Sequence, residues 1–511
     1  MPRTIRFVAA AVVAAALILA PTATSVTTAD AKGDAAKLRQ AVNVPGMRSH
    51  EQALQTIAVA NGGTRSSGTP GYQASVGYVV SQLEAAGYDP VVQPFDFPFF
   101  NETAPAEFER VSPSPRDFVL TQEYATMTYS GSGNVTAQLQ EVTNNQFPPG
   151  PTPSSSSAGC DAANFAGFVP GRVALIQRGT CPFHDKALNA QAAGASAVVI
   201  FNEGQPGRTD TIAGTLGTPD FHIPVIGTSF AIGQELHTMI GSPVVVHVQT
   251  ATQSDIRTTW NVLAETPWGD PDHVIVQGSH LDSVIPGPGI NDNGSGSSYN
   301  LESAIQVMNE HIKTENKIRF AWWGAEEFNL LGSQFYVNSL SDPELARIKA
   351  NLNFDMIASP NFVRFVYDGD GSATGTAGPA GSGEIEQILV DWFGSQGLAS
   401  EPTAFNGRSD YGPFIAVGIP AGGLFTGAEG EKTAAQMAVY GGLAGVAYDP
   451  CYHQACDTIL NLNETAFDQM SDAAATALMT LADEKVKPPK PPKPPKAPKA
   501  AKAGALGTVG G

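Results

Sequence analysis

Apolar positions recur at three- and four-residue steps through Val76, Tyr78, Val79 and Leu83. That spacing lines one face of a helix and predicts a helix over 73–86, with a shorter one over 54–60. Residues 62–71, crowded with Gly, Ser and Thr, read as a loop, and Val91-Val92-Gln93-Pro94-Phe95 reads as a strand. From about residue 121 the texture changes. Thr, Val and Ser alternate around a Pro- and Ser-dense loop at 145–158, followed by short apolar runs at 173–176, 197–200 and 224–226 and a helix at 185–193. This β-rich block closes near 247–250. From Trp260 onward, apolar strands alternate with helices: 274–276 before a helix at 297–308, 318–323 before a helix at 326–338, and 352–357 before a loop. Helices at 384–396 and 463–483 complete the series. Strands of this kind, joined by helices, predict an α/β fold with buried parallel strands.

The expected organisation is a leader over 1–31, a catalytic domain in two parts (34–120 and 253–484), a β-rich insert over 121–252, and a Lys/Pro-rich, disordered tail over 485–511. Arg3 and Arg6 precede an apolar stretch at 7–20, with small residues reaching Ala29-Asp30-Ala31. This is the layout of a secretory signal peptide, and the stretch is shorter than the ~20 apolar residues of a membrane span. A secreted, extracellular protein with no membrane contact in its mature form is expected. A net charge of -19 over 511 residues excludes nucleic acid as the natural partner. Four cysteines allow three pairings. The local one, Cys160 with Cys181 and Cys451 with Cys456, closes two short loops and suits an oxidising compartment.

Four segments place carboxylates or an imidazole just past apolar strands: Gly278-Ser279-His280-Leu281-Asp282-Ser283, Gly289-Ile290-Asn291-Asp292-Asn293-Gly294, Trp322-Trp323-Gly324-Ala325-Glu326-Glu327 and Leu352-Asn353-Phe354-Asp355-Met356. In open α/β sheets such ends share one crevice. Taken singly, each has a plain alternative. His280 would be a surface residue, and Glu326-Glu327 the acidic first turn of a helix. Together, several carboxylates in one crevice repel one another unless cations sit among them, and imidazole with carboxylate suits zinc. Downstream, Cys451-Tyr452-His453-Gln454-Ala455-Cys456-Asp457-Thr458 holds an imidazole and a phenol between two cysteines.

These motifs, in this order, resemble the co-catalytic di-zinc aminopeptidases, which include aminopeptidase Y and the Streptomyces-type secreted leucine aminopeptidases. Glutamate carboxypeptidase II and glutaminyl cyclase are more distant relatives. The likeness covers about 53–94 and 258–483, and implies a mixed central sheet flanked by helices. The insert, with Gly159-Cys160, Arg178-Gly179-Thr180-Cys181-Pro182-Phe183 and Ala192-Ala193-Gly194-Ala195, resembles a protease-associated (PA) domain.

By motif position the resemblance implies two zinc ions per chain. Asp292 would bridge them, His280 and Asp355 would complete one site, and Glu327 and His453 the other; manganese or cobalt would suit the same ligands. Glu326 would be the general base, Asp282 would orient His280, and Tyr452 would support the oxyanion. Arg408, in Gly407-Arg408-Ser409-Asp410-Tyr411, would contact substrate, and Phe425 would line the side-chain pocket; their plain alternatives are a surface ion pair and a core position. The family's calcium site is only half present: Asp468 and Asp472 fit one half, but Ala41-Val42-Asn43 brings no carboxylate to the other. The implied activity is removal of apolar, Leu-like residues from peptide or protein N-termini by a monomer. The alternatives are a carboxypeptidase or dipeptidase on the same metals, or a peptide-binding protein acting through the PA domain.

Overall fold

The computed structural model describes residues 29–484. The Lys/Pro tail lies outside them, and so does the expected leader up to residue 28. Among the described residues no helix is long and apolar enough to cross a membrane.

Four parallel strands form the heart of the molecule, in the spatial order Asn316–Trp323, Asp270–His280, Ile348–Phe354 and Ala421–Phe425. Val274, Val276, Ile318, Phe320, Leu352 and Leu424 are buried because helices cover both faces of the sheet. The helices Gly296–Asn309 and Glu464–Ala482 belong to one side, where Leu301, Ala304, Phe467, Met470 and Leu478 enter a common core. On the other side Trp323, Tyr336 and Phe414 pack ring against ring at 5.0–6.0 Å.

Beside this core, the strands Val91–Ser112 and Val245–Glu265 pair antiparallel along their whole length. The strand expected to end at Phe95 therefore continues to Ser112, with bulges near Glu102, Ala104 and Arg110. Alternation at its inner positions (Phe95, Phe97, Phe99, then Ala106 and Phe108) keeps one face buried in two successive cores. Val245–Glu265 pairs with Asn316–Trp323 at one end and with Gly133–Glu141 at the other. It thus carries the sheet unbroken from the central strands into the β-rich insert.

The insert holds Val173–Gln177, Ala197–Phe201 and Val225–Thr228 with the helices Phe183–Ala192 and Phe230–Met239. The second helix was not evident from the sequence; the Ser229 hydroxyl caps it by accepting from the Ile232 amide. The Cys160–Cys181 disulfide is present, with Cα atoms 5.8 Å apart. Lys186 lies fully buried beside it and donates to the Ala158 carbonyl. Burial pulls its ammonium down to about 8, below its value in an unfolded chain. The unfolded state therefore binds more protons between pH 8 and 10.5, and stability rises with pH across that window. Wild type should gain about 2–3 kcal/mol relative to Lys186→Met between those pH values, read by denaturant unfolding.

One element departs from expectation at the crevice. The helix predicted over 326–338 begins only at Leu331. Ala325, Asn329 and Leu330 take positive φ angles of 53, 73 and 61°, and the Glu326 amide donates to Asp282 Oδ1 at 3.2 Å. The glutamate pair therefore sits on a tight turn and not in the first turn of a helix.

Candidate metal centre and active site

His280 ends one parallel strand, Glu326 and Glu327 follow the next, and Asp355 follows the third. Pairing of Trp323 with His280 and of Asn353 with Gly278 sets these ends side by side. Asp292 lies on the segment between His280 and the helix at Gly296, and its backbone is fixed from below. Asp457 accepts from the amides of Asn291 at 2.9 Å and of Asp292 at 3.0 Å. His453 arrives on the loop closed by the Cys451–Cys456 disulfide, whose Cα atoms are 5.3 Å apart.

The five side chains converge in two sets around Asp292. On one side His280 Nε2 lies 3.2 Å from Asp292 Oδ1 and 3.3 Å from Asp355 Oδ1. On the other, His453 Nε2 lies 3.2 Å from Asp292 Oδ2 and 3.1 Å from Glu327 Oε2. Glu326 stands slightly back, with Oε2 3.8 Å from His280 Nε2. The two oxygens of Asp292 thus face different imidazoles, as a bridging carboxylate requires.

Electrostatics make this grouping costly without a cation. Burial pushes the Glu326 carboxyl well above its usual range, and Asp410, Asp355 and Glu327 push the same way against His280. Burial takes Glu327 up to about 7, with Asp292 adding to the shift. Burial would raise Asp292 too, yet His280 and His453 hold it well below the normal carboxylate range. His280 Nε2, Asp355 Oδ1 and Glu327 Oε1 are buried and make no hydrogen bond. Orphaned nitrogen and oxygen atoms aimed at common points, in a mixed imidazole–carboxylate set, fit zinc.

Supporting contacts refine the expected roles. His280 Nδ1 is 3.0 Å from the Asp282 backbone carbonyl and 3.7 Å from its carboxylate. The Asp282 carbonyl is thus the nearer acceptor for the imidazole, while the Asp282 side chain takes the Glu326 amide. Arg65 is fully buried and donates to the carbonyls of Leu281, Pro288 and Gly289. Ser409 Oγ donates to Asp355 Oδ2 at 2.6 Å. None of Arg65, Ser409 and Asp457 was assigned a role from sequence. A lone Arg in a loop of small residues was the available signal for the first.

A cleft of about 660 Å³ opens over Asp292, Glu326, Glu327, Asp355 and His453. Phe365, Tyr367, Phe425 and Tyr448 wall one end, with Phe425 stacked on Phe365 at 6.0 Å. Arg408 pairs with Glu429 at 2.7 Å and donates to the Tyr452 hydroxyl at 3.1 Å. Tyr452 stacks on His453 at 3.8 Å. Burial, with Asp292 and Glu327 nearby, pushes the Tyr452 phenol well up, so it stays protonated and able to donate. By contrast, no third acid or imidazole joins Asp468 and Asp472 among the described residues.

A buried parallel sheet with carboxylates and imidazoles gathered at its strand ends is the framework of a metal-dependent hydrolase. Comparison with known proteins narrows that class. Residues 261–478 match peptidase family M28 and residues 136–236 match the PA domain. The chain is 45% identical over 450 residues to an aminopeptidase of Pseudomonas aeruginosa, covering 85% of this chain and 80% of that protein. It is 42% identical over 418 residues to leucine aminopeptidase 2 of Trichophyton rubrum, covering 81% and 79%. Among solved structures it resembles an aminopeptidase from Aneurinibacillus sp. strain AM-1, with a TM-score of 0.62, 27% identity and 89% and 98% of the two chains covered. A zinc aminopeptidase from Bacillus subtilis aligns with a TM-score of 0.57 at 25% identity, covering 87% and 97%. The chain belongs to peptidase family M28, with a PA domain inserted, and is a metallo-aminopeptidase.

Proposed function

We propose that this protein is a secreted two-zinc aminopeptidase that removes apolar N-terminal residues from peptides. The observation that carries the reading is the division around Asp292, with His280 and Asp355 on one side and Glu327 and His453 on the other. A zinc pair held there would lower the pKa of water and polarise the scissile carbonyl. Glu326, set back from the ligand atoms, accepts the proton of the attacking water on its carboxylate and returns it to the leaving amine. The Tyr452 hydroxyl donates to the developing oxyanion. Phe425 and its aromatic neighbours receive the side chain of the N-terminal residue.

The choice of chain end rests on charge. A carboxypeptidase needs a free cation for the substrate carboxylate. Arg408 is the only Lys or Arg lining the cleft among the described residues, and Glu429 already neutralises it. The remaining acids favour a substrate ammonium. Arg408 then holds Tyr452 in place as well as facing substrate. Both disulfides fit secretion.

Free and N-acetylated leucyl chromogenic substrates, assayed before and after chelation and zinc return, test the reading. The free substrate alone should be cleaved, with two zinc ions per active chain; equal cleavage of the blocked one would refute it. Tyr452→Phe should lower kcat about 10²-fold with KM little changed, as measured by steady-state kinetics at saturating zinc. A change confined to KM would place the phenol in ground-state binding instead.

A further inference from the structure

The strand Phe365–Tyr367 runs into Asp368-Gly369-Asp370-Gly371-Ser372. Oxygen-bearing side chains alternate here with glycines, and Gly371 turns the chain at a φ of 72°. Alternation of this sort lets a short loop wrap its side-chain oxygens around a hard cation. Glu386, on the helix Ser382–Ser395, reaches the same place: one carboxylate oxygen each from Asp368, Asp370 and Glu386 lies within 4.8 Å of the others.

Acidic clusters are common on surfaces, but this one has a buried member. Asp368 is 0% exposed. Its Oδ2 accepts from the amides of Ala373 at 3.0 Å and Thr374 at 2.6 Å. Its Oδ1 is equally shielded from water and has no donor at all. Glu386 Oε2 accepts from the Gly369 amide at 2.8 Å, which fixes that carboxylate beside the loop. No Lys, Arg or His forms an ion pair with any of the three among the described residues. Asp368 Oδ1 is thus buried without a donor, and two further acids stand beside that residue. Against the effect of burial, the Ala373 and Thr374 amides hold the Asp368 carboxyl below its ordinary value. It is therefore ionised, and a cation would relieve the crowding.

We propose that Asp368, Asp370 and Glu386 bind a calcium ion at the edge of the catalytic sheet. Every donor is oxygen, with no imidazole or thiolate, which disfavours zinc. The donors sit on an irregular loop, and Asp370 opens onto a shallow depression shared with Glu384 and Gln387, leaving room for water to complete a high coordination number. Burial, with the two aspartates adding, pushes the Glu386 carboxyl up against the lowering effect of the Gly369 and Asp370 amides. The place also has a consequence for the cleft. Asp368 directly follows Tyr367, whose ring stacks on Phe405 at 5.1 Å and lines the substrate cavity. The ion would pin the end of that strand and with it one wall of the cleft.

The test uses the zinc-loaded full chain, freed of calcium and titrated with calcium chloride by calorimetry, with thermal unfolding in parallel. One ion per chain should bind with a Kd of about 10⁻⁴–10⁻³ M and raise the melting temperature. Asp370→Asn and Glu386→Gln keep the loop's amide contacts and should each weaken binding at least about tenfold. Asp468→Asn, at the other acidic pair, should bind as wild type does. Absence of uptake up to about 10 mM calcium would overturn the proposal. So would unchanged uptake in either loop variant, or loss of uptake in Asp468→Asn.

Discussion

Replacing Glu326 with Gln should lower kcat by about 10²–10⁴-fold while the protein keeps its full complement of zinc. The amide is nearly the same size and can still occupy the turn, but it cannot accept a proton at neutral pH. Position makes the prediction sharp. Glu326 is buried and its oxygen lies 3.8 Å from His280 Nε2, whereas the oxygens of Asp292 and Asp355 lie at 3.2 and 3.3 Å. Its donor atom nevertheless falls within 4.8 Å of those of His280 and Asp355, so it must be distinguished from a ligand. Zinc content decides between the two: a ligand variant loses metal, whereas a base variant loses only turnover. Near-normal kcat would remove Glu326 from the proton-transfer role. The parallel variant Asp292→Asn should lose metal.

Arg65→Ala should be the most destabilising single change outside the five converging side chains. Three carbonyls, of Leu281, Pro288 and Gly289, receive this one guanidinium, two of them at 2.8 and 2.6 Å. All three lie on the chain between His280 and Asp292. Truncation would strand those acceptors and leave a cavity, for a combined cost of about 4 kcal/mol or more. Burial already draws the guanidinium down to about 10, far enough above neutral that it remains charged. Thermal unfolding of the zinc-loaded protein should show a fall of about 10 °C, and chelator competition should show weaker zinc retention. Arg65→Lys should recover little, because one ammonium cannot span three fixed carbonyls. A melting temperature within about a degree of wild type would show that the loop holds itself.

Motif legibility followed the range of the forces involved. The signals around His280 and Asp355 were readable because each closes an apolar run that must be a buried strand, and buried strands in parallel array deliver their ends to one place. The Glu326-Glu327 turn reads as helical from the sequence, but the helix starts at Leu331. Its acidic pair looks like a helix start, and nothing local announces that Asp282, 44 residues earlier, captures the Glu326 amide. Asp457 lies beside Cys456, but its two amide partners are more than 160 residues away.

What the sequence determined by itself was local and chemical: the alternation of strands and helices, the acids and imidazoles at strand ends, and a cysteine pairing that closes short loops. Both disulfides are found as that pairing required. The tertiary structure alone decided that Arg408 spends its charge on Glu429, and that Arg65 and Asp457 hold the segment between His280 and Asp292. It also carried one strand pair unbroken from the central sheet into the insert. The physical reason is common to all of these. Periodicity and motif spacing report what a residue does to its neighbours along the chain, whereas hydrogen-bond satisfaction and charge pairing depend on groups that only folding brings within about 3–4 Å.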